Sequence, residues 1–477
     1  MKARSLFLIN MIFILCVNVF PHGATFAIRK SPPAYSPGAG YEYVYDFVTN
    51  EYISVEFERV FTGKHCETYV EVGSATGDED LIQEISEEFD TNIYRVVTEA
   101  FGEPPMKRIR LMFTDVRDFY NHGSQNYYGG YFDPDLGESA DSIFIDTYPS
   151  FVYADKEEIC GVVAHEFQHL IHHHYDRHEE KWLNEGMSEL ATYIYGVEND
   201  IHVENYISFP YISLSEWNNT ISDYGKVYLF FRYLVYRNGL PVLKKIIRNT
   251  QTGMNSLAEV LGYDELRELF TDWAAALCLN SDENIRFDIM GLDFELEPVN
   301  VGKGDYFAAD YNMEPYTFYK LDWHPGTKST FPVMLTEESD ERLNIYAGFY
   351  SEGKLKDVVL LEQGEPYIPD FHIEKAVICA VNPGRKPLKA HVGLKRITPE
   401  YKVLPNPGYI DNRLFAFKGV EVTGIKLNDR KIPSFTHGKA RIFSADINIF
   451  GSNTISCDFR YENTFYTGSF YFRSGEL

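Results

Sequence analysis

Residues 165–169 have the sequence HEFQH, in which two histidines enclose a glutamate. It lies in an apolar stretch that opens with Asp155 and Glu158, a capping-box pattern that predicts a helix through about His174. Helical residues four apart share one face, about 6 Å along the axis, so both imidazoles can hold one ion. Glu166 is rotated away from that line and is better placed to hold a metal-bound water.

A second motif, WLNEG at residues 182–186, supplies a third candidate ligand. Asn184 is predicted to cap a second helix that ends at Gly196, which places Glu185 in its first turn. Two histidines and one carboxylate leave the fourth tetrahedral position to water, as a catalytic zinc site requires. Glu189, one turn further on, could accept a proton from a ligating imidazole and fix its orientation. A solvated helix face is the alternative interpretation of Glu189.

Together the two motifs resemble the gluzincin metallopeptidases, the relatives of thermolysin and of the zinc aminopeptidases. Three further segments, GYFDP at 130–134, SIFIDTYP at 142–149 and SDYGKVYLFFRYL at 222–234, resemble more narrowly the hyicolysin-type secreted bacterial neutral proteases. This likeness extends over roughly residues 50–280. It implies an α+β, zincin-like catalytic domain in which a mixed sheet is followed by a helical subdomain.

Residue by residue, the resemblance implies that His165, His169 and Glu185 bind zinc and that Glu166 is the general base. The chain departs from thermolysin and the aminopeptidases because its gap between the second histidine and the glutamate is shorter. Counted by the longer gap, Glu189 would be the ligand. The assignment of Glu185 therefore depends on the WLNEG context rather than on the spacing.

In related gluzincins a tyrosine or histidine of the helical subdomain stabilises the developing oxyanion. Tyr224, at the predicted start of the next helix, is the candidate here, and Tyr228, one turn on, is a second one. A place in the core is the alternative for both. By analogy with the zincin fold, the strand Ser142 to Asp146 is expected to be the sheet edge that pairs with an extended peptide.

The N-terminus predicts export. Lys2 and Arg4 precede an apolar run that leads to small residues, so residues 1–27 are predicted to be a signal peptide cleaved after Ala27. A retained membrane anchor is the alternative, but two asparagines interrupt the run and a proline ends it early. The mature protein is therefore expected to be secreted, with residues 28–40 as a linker and no transmembrane anchor.

Charge and cysteine content exclude several classes of protein. The chain has 44 Lys and Arg against 70 Asp and Glu, a formal charge of −26, so nucleic acid and anionic membranes are not expected as partners. Removal of the two basic residues of the signal peptide would bring the charge to −26 − 2 = −28. Besides Cys16, the cysteines are odd in number and widely spaced, which favours buried free thiols.

Two further groups of polar residues have open interpretations. Asp133, Asp135, Glu138 and Asp141 form an acidic loop that could bind calcium, although a solvated loop is favoured because the EF-hand spacing is absent. The run of histidines at 172–174 could in principle bind metal. Solvation, or interaction with the negative end of the helix dipole, is favoured for these histidines.

The C-terminal part changes character after about residue 295, where short alternating strands are separated by Pro and Gly. We expect a metallopeptidase domain at residues 41–290, a β-sandwich-like domain at 295–400 and a second small β domain at 401–477. The β domains suit either a surface or matrix ligand or a spacer role.

Two classes of function follow from the sequence. The favoured one is a secreted zinc endopeptidase that acts on protein or peptide substrates. The alternative is a catalytically inactive zincin-like protein that binds a surface or matrix, although the intact ligand set argues for the enzyme. Within the enzyme class an aminopeptidase is the rival, but no GxMEN-like element that would hold a substrate amine is found.

Overall fold

The structure is a computed structural model that describes residues 13–14, 40–74, 78–122, 127–139, 141–281, 286–325, 330–339, 343–363, 365–397, 400–405, 412–418, 421–432, 434–437, 440–447, 452–461 and 464–473. The predicted signal peptide and linker lie outside the described residues, apart from residues 13, 14 and 40. Two compact units are present. The first unit is Met1–Pro210 with Leu214–Leu266, and the second unit is Tyr211–Ser213 with Arg267–Leu477. The predicted domain limits at 290 and 400 stay predictions.

The first unit is built on a mixed six-stranded sheet. Its three inner strands, Cys66–Glu71, Ile109–Thr114 and Ser142–Asp146, form two parallel pairs, flanked by antiparallel strands. The spatial order is Tyr41–Asp46, Glu51–Thr62, Cys66–Glu71, Ile109–Thr114, Ser142–Asp146 and Gly130–Phe132. A separate two-residue pairing joins Phe13–Ile14 to Tyr127–Tyr128.

The predicted sheet edge is wrong. Ser142–Asp146 forms a strand as expected, but all five of its residues are buried and it has a partner on each side. The edge next to it is the three-residue strand Gly130–Phe132. Gly130–Phe132 pairs antiparallel with Ser142–Asp146 and covers the side of that strand that was expected to be free.

Helices follow and surround the sheet. Asp155 caps the helix that carries HEFQH and forms a reciprocal capping box with Glu158, as predicted. The helical elements are Glu79–Glu88, the π-helical turn Phe89–Ile93, Tyr94–Phe101, the 3-10 turns Phe119–His122 and Pro134–Ser139, Ser150–Tyr153, Lys156–Tyr175, Lys181–Tyr195, Asp200–Ser208, Ile221–Asn238, Pro241–Ile246, Gly253–Leu261 and Tyr263–Leu279.

The helix that carries WLNEG begins earlier than predicted. It spans Lys181–Tyr195, and its N-cap is Glu180 rather than Asn184. Trp182 and Leu183 are both buried, so packing draws them into the first turn and frees the Asn184 side chain for another contact. Gly196 ends the helix as expected.

The second unit is rich in antiparallel sheets. A four-stranded and a five-stranded sheet share one apolar core, whose largest member is Trp323. A further core around Phe459 includes residues of a four-stranded sheet. The strands are Asn300–Lys303, Tyr306–Met313, Thr317–His324, Val333–Ser339, Asn344–Ser351, Lys354–Leu360, Pro366–Tyr367, Lys375–Asn382, Leu388–Arg396, Glu400–Pro405, Asn412–Lys418, Glu421–Leu427, Arg430–Lys431, Ser434–His437, Ala440–Asp446, Ser452–Tyr461 and Thr464–Arg473.

These observations agree with an α+β unit followed by β-rich structure. The prediction of buried free thiols is confirmed for the five cysteines of the described residues, Cys66, Cys160, Cys278, Cys379 and Cys457. Within the described part of the chain, every helix is too short or too polar to cross a membrane.

Candidate metal centre

Three predicted ligands come together in the first unit. Nε2 of His165 lies 3.1 Å from Nε2 of His169, and Oε2 of Glu185 lies 3.4 Å from each of them. The helices Lys156–Tyr175 and Lys181–Tyr195 supply these side chains, which are at most 4% exposed. In the described part of the chain this is the one cluster of three or more such groups that could share an ion.

The arrangement fits a tetrahedral metal ion. Ligand bonds of 2.0–2.2 Å at tetrahedral angles place neighbouring donor atoms about 3.3 Å apart, close to the observed spacing of these three atoms. Oε2 of Glu185 is buried and has no hydrogen bond of good geometry. A buried carboxylate oxygen without a donor is costly, and a cation at the centre of the triangle would compensate it.

The charges inside the cluster favour the binding of a cation. Burial alone lowers the pKa of His169, but the carboxylate of Glu185 outweighs it and raises the pKa to about 9. Burial conversely raises the pKa of Glu185, and His169 and His165 together bring it down to about 2. The carboxylate of Glu185 therefore favours a positive charge at the cluster, which a divalent cation would supply in place of a proton.

The orientation of His169 is fixed from behind. Its Nδ1 lies 3.0 Å from Oδ1 of Asn184 and 3.0 Å from Oγ of Ser188. Ser188 donates its own proton to Gln168, so both neighbours can accept from an Nδ1–H. This tautomer leaves the Nε2 lone pair of His169 directed at the cluster.

Glu189 has the corresponding position behind His165. Its Oε1 lies 3.5 Å from Nδ1 of His165, at ion-pair distance. The side chain is fully buried, so the alternative of a solvated helix face is wrong. Of the two glutamates that the sequence offered as a third ligand, Glu185 lies with the two Nε2 atoms and Glu189 lies behind one ring.

Glu166 lies in the same helix as His165 and His169 and faces the sheet edge. It is fully buried, and neither carboxylate oxygen has a hydrogen bond of good geometry. Burial raises its pKa, although the neighbouring histidines and the backbone N–H of Phe132 oppose the change. A Cβ at Gly130 would come within 2.8 Å of Val162 and 3.3 Å of the Glu166 side chain, so only glycine lets the edge strand pass this close.

The two candidate tyrosines lie in the helix Ile221–Asn238. Tyr224 is buried, with its ring 4.9 Å from that of Trp217 and 5.4 Å from that of His202. Tyr228 donates its hydroxyl proton to Glu198. A role of Tyr224 at the oxyanion stays a prediction.

Other polar candidates lie outside the cluster. His172 is fully buried rather than solvated, and burial lowers its pKa to about 3. His173 packs its ring 5.3 Å from Phe132. In the acidic loop, Asp133 is buried and accepts hydrogen bonds from Tyr52 and from the backbone of Asp135. The side chain of Glu138 lies outside the described residues, and calcium binding stays a prediction.

A close helix contact sets the position of Glu185. The next residue, Gly186, faces the helix Ile221–Asn238, where a Cβ would overlap the ring of Phe231 and lie 3.1 Å from Val227. The two helices can approach this closely only because residue 186 has no side chain. Glycine therefore determines how far the carboxylate of Glu185 projects toward the histidines.

Sequence comparison gives one informative relative. The chain is similar to "Neutral metalloprotease ShpI" of Staphylococcus hyicus, with 28% identity over 246 residues. The match covers 45% of this chain and 55% of the relative, so the chain spans about half the length of the curated relative it matches. The chain matches no family model.

Proposed function

We propose that the protein is a zinc-dependent endopeptidase of the gluzincin type, closest to the hyicolysin-type neutral proteases. The observation that carries the proposal is the buried triangle of His165, His169 and Glu185, with Glu166 beside it and without a hydrogen-bond donor of good geometry. The similarity to a neutral metalloprotease supports the same reaction class.

His165, His169 and Glu185 would hold the metal, with Asn184 and Ser188 orienting one ring and Glu189 the other. The ion, when bound, supplies Lewis-acid chemistry that acidifies water and polarises the scissile carbonyl. Glu166 acts as general base, accepting the proton of the attacking water and delivering it to the leaving amine. Its burial raises its proton affinity toward the range that this transfer needs.

The substrate would bind along the edge strand Gly130–Phe132. Within the described residues this strand pairs on one side only, so its other side can accept an extended peptide by backbone hydrogen bonds. Recognition through the backbone favours an endopeptidase of broad specificity. Tyr224 remains our candidate for the donor to the oxyanion.

Secretion through a signal peptide at residues 1–27 belongs to the same proposal, as do two β domains with a surface or matrix ligand. A catalytically inactive binding protein is the rival from another class, and an aminopeptidase is the rival enzyme. The deciding assay is hydrolysis of casein and of an internally quenched peptide, with and without a blocked N-terminus, by the zinc-loaded protein.

We expect about one zinc per chain and hydrolysis that a chelator abolishes and zinc restores. Glu166→Gln should retain zinc and lose activity by about 10³-fold or more. Wild-type activity in Glu166→Gln would overturn the mechanism. Zinc binding without hydrolysis of either substrate would favour the binding protein, and a requirement for a free N-terminus would favour an aminopeptidase.

The third ligand is tested by a matched pair of substitutions. Glu185→Gln should lose zinc affinity by several orders of magnitude, whereas Glu189→Gln should lose about 10- to 100-fold. Equal losses, or the reverse order, would contradict the assignment of Glu185.

A further inference from the structure

His202 lies behind the metal centre and is not part of any motif in the sequence. It belongs to the helix Asp200–Ser208 and is only 4% exposed. Its Nδ1 lies 2.8 Å from Oε2 of Glu189, and Nδ2 of Asn199 donates to the same oxygen at 2.6 Å. One oxygen of the Glu189 carboxylate therefore has two donors from outside the metal helices.

The other oxygen of Glu189 faces the metal centre. Oε1 lies 3.5 Å from Nδ1 of His165, whose Nε2 is directed at Glu185 and His169. With Oε2 held by His202 and Asn199, the carboxylate cannot rotate without losing both bonds. A chain of contacts thus runs from His202 through Glu189 to the first predicted ligand.

His202 is itself fixed by its surroundings. Its ring packs at 5.4 Å from that of Tyr224. Its backbone carbonyl lies over Gly225, where a Cβ would overlap it. The helix Asp200–Ser208 is therefore seated on the helix Ile221–Asn238, and the imidazole cannot shift without repacking both.

His202 also borders a cavity beside the metal helices. It lines a cavity of about 300 Å³ together with Asn199, Val162 and Thr192. Loss of the imidazole would open a path for water from this cavity to Glu189, and water would compete for the carboxylate.

We propose that His202 is a positioning residue of the metal centre, which holds Glu189 so that its free oxygen fixes the ring of His165. This inference rests on the proposed function only in that the cluster binds a divalent metal. His202 would touch neither substrate nor metal. It would act by preorganising a ligand, which commonly changes metal affinity or activity by about 10- to 100-fold.

The test compares two substitutions at one position. Asn places an amide N–H near the Nδ1 of histidine, whereas Leu fills the space and offers no donor. We therefore expect His202→Leu to release zinc to a chromogenic chelator about tenfold faster and to lower kcat with little change in KM. His202→Asn should restore most of the slow zinc release and most of kcat. The cobalt-substituted His202→Leu variant should have an altered visible spectrum.

Val203→Ala is the matched control, because Val203 is a buried neighbour on the same helix whose side chain has no hydrogen-bond donor for Glu189. It should leave the zinc release rate and the cobalt spectrum unchanged. If His202→Leu does not fold, Asn199→Ala removes the second donor and should accelerate zinc release by a smaller factor. Wild-type zinc release in the Leu variant, or equal defects in Leu and Asn, would overturn the inference.

Failure of the two proposals can be told apart. If the wild type binds zinc but cleaves no peptide, the proposed function is wrong, and the release rate and cobalt spectrum still decide the role of His202. If the wild type binds neither zinc nor cobalt, both proposals are wrong.

Discussion

The two units of the chain bury charge in different ways. In the described part of the second unit, each buried charged side chain has a partner of opposite sign: Lys320 lies 3.1 Å from Glu295, Asp322 lies 2.8 Å from Lys375, Arg396 lies 3.3 Å from Asp305 and Asp272 lies 2.8 Å from Arg286. The first unit buries Glu166 completely, with no hydrogen bond of good geometry to either oxygen.

The directions of the pKa shifts follow the same contrast. Lys320 donates to Glu295 and lowers the pKa of that carboxyl. In the first unit, burial raises the pKa of Asp118 to about 6, of Glu179 to about 7 and of Asp146 to about 8. Asp118 and Asp146 accept backbone N–H bonds that compensate part of the cost of burial, whereas Glu166 has no hydrogen bond of good geometry. A buried carboxylate of the second kind destabilises a fold, so its retention has a reason other than stability.

The largest expected effect is a loss of zinc affinity, and it should occur for a substitution in the first unit but not for one in the second unit. His169→Ala should reduce zinc affinity by about 10⁴-fold or more, because it removes one of three ligands. His391→Ala, a histidine of the second unit that is ion-paired with Asp310, should leave zinc affinity unchanged. Zinc competition titration measures both. A comparable loss in His391→Ala would break the comparison.

Truncation of a core side chain in the second unit should lower stability without changing zinc affinity. Trp323→Ala removes a fully buried indole from the second unit and should lower the free energy of unfolding by about 3–5 kcal/mol. The zinc affinity of the folded protein should not change. Chemical denaturation followed by fluorescence gives the stability, and Ile368→Ala, which is 56% exposed, is the control with an expected effect of at most about 0.5 kcal/mol.

The pH dependence of stability should come from the first unit. Burial raises the pKa of Asp146, although its oxygens accept backbone N–H bonds from Val116 and Ser150. The unfolded carboxyl loses its proton near pH 4 and the folded one near pH 8, so the contribution of Asp146 to stability is highest below pH 4 and falls between these values. The contribution of this residue should fall by at most about 1.4 kcal/mol per pH unit.

Asp146→Asn isolates that contribution. The variant should be less stable at pH 5, because its amide cannot accept both bonds, but its stability should depend less on pH than that of the wild type. Urea titrations of the zinc-free proteins at pH 5, 6, 7 and 8 measure the difference. Parallel curves for the two proteins would show that Asp146 is ionised in the fold.

The smallest effect concerns Glu166 itself. Glu166→Leu should raise the free energy of unfolding of the zinc-free protein by about 1 kcal/mol, because it removes a buried carboxylate that has no hydrogen bond of good geometry. Glu189→Leu should lower it, because Glu189 is bonded to His202 and Asn199. Thermal unfolding of both variants tests this. Destabilisation by both to the same extent would mean that Glu166 is compensated in the fold.

Local periodicity was sufficient to predict part of the site. The positions of His165, Glu166 and His169 follow from one helix and its capping box. The structure contains both the helix and the capping box. The juxtaposition of Glu185 with them required the WLNEG context. The place of His202 could not be predicted, because it depends on how two helices cross at Gly225 rather than on spacing along the chain.

The errors in the fold have a similar origin. The strand Ser142–Asp146 was predicted with its bounds, but the order of strands in the sheet is a property of distant segments, and the edge was misplaced. In the second unit, Leu388–Arg396 alternates apolar residues with polar residues or glycine, but its pairing with Tyr306–Met313 and Val333–Ser339 depends on segments that are distant in sequence.

The close approach at Gly186 makes the centre sensitive to added volume. An alanine there would add one methyl group and no charge, yet it would push the helix of Glu185 away from Phe231. Because Glu185 directly precedes Gly186, its carboxylate would be displaced with the helix. Conservative exchanges at neighbouring positions should therefore be tolerated better than Gly186→Ala. A change at this glycine alone would abolish metal binding even though every ligand is still present in the sequence.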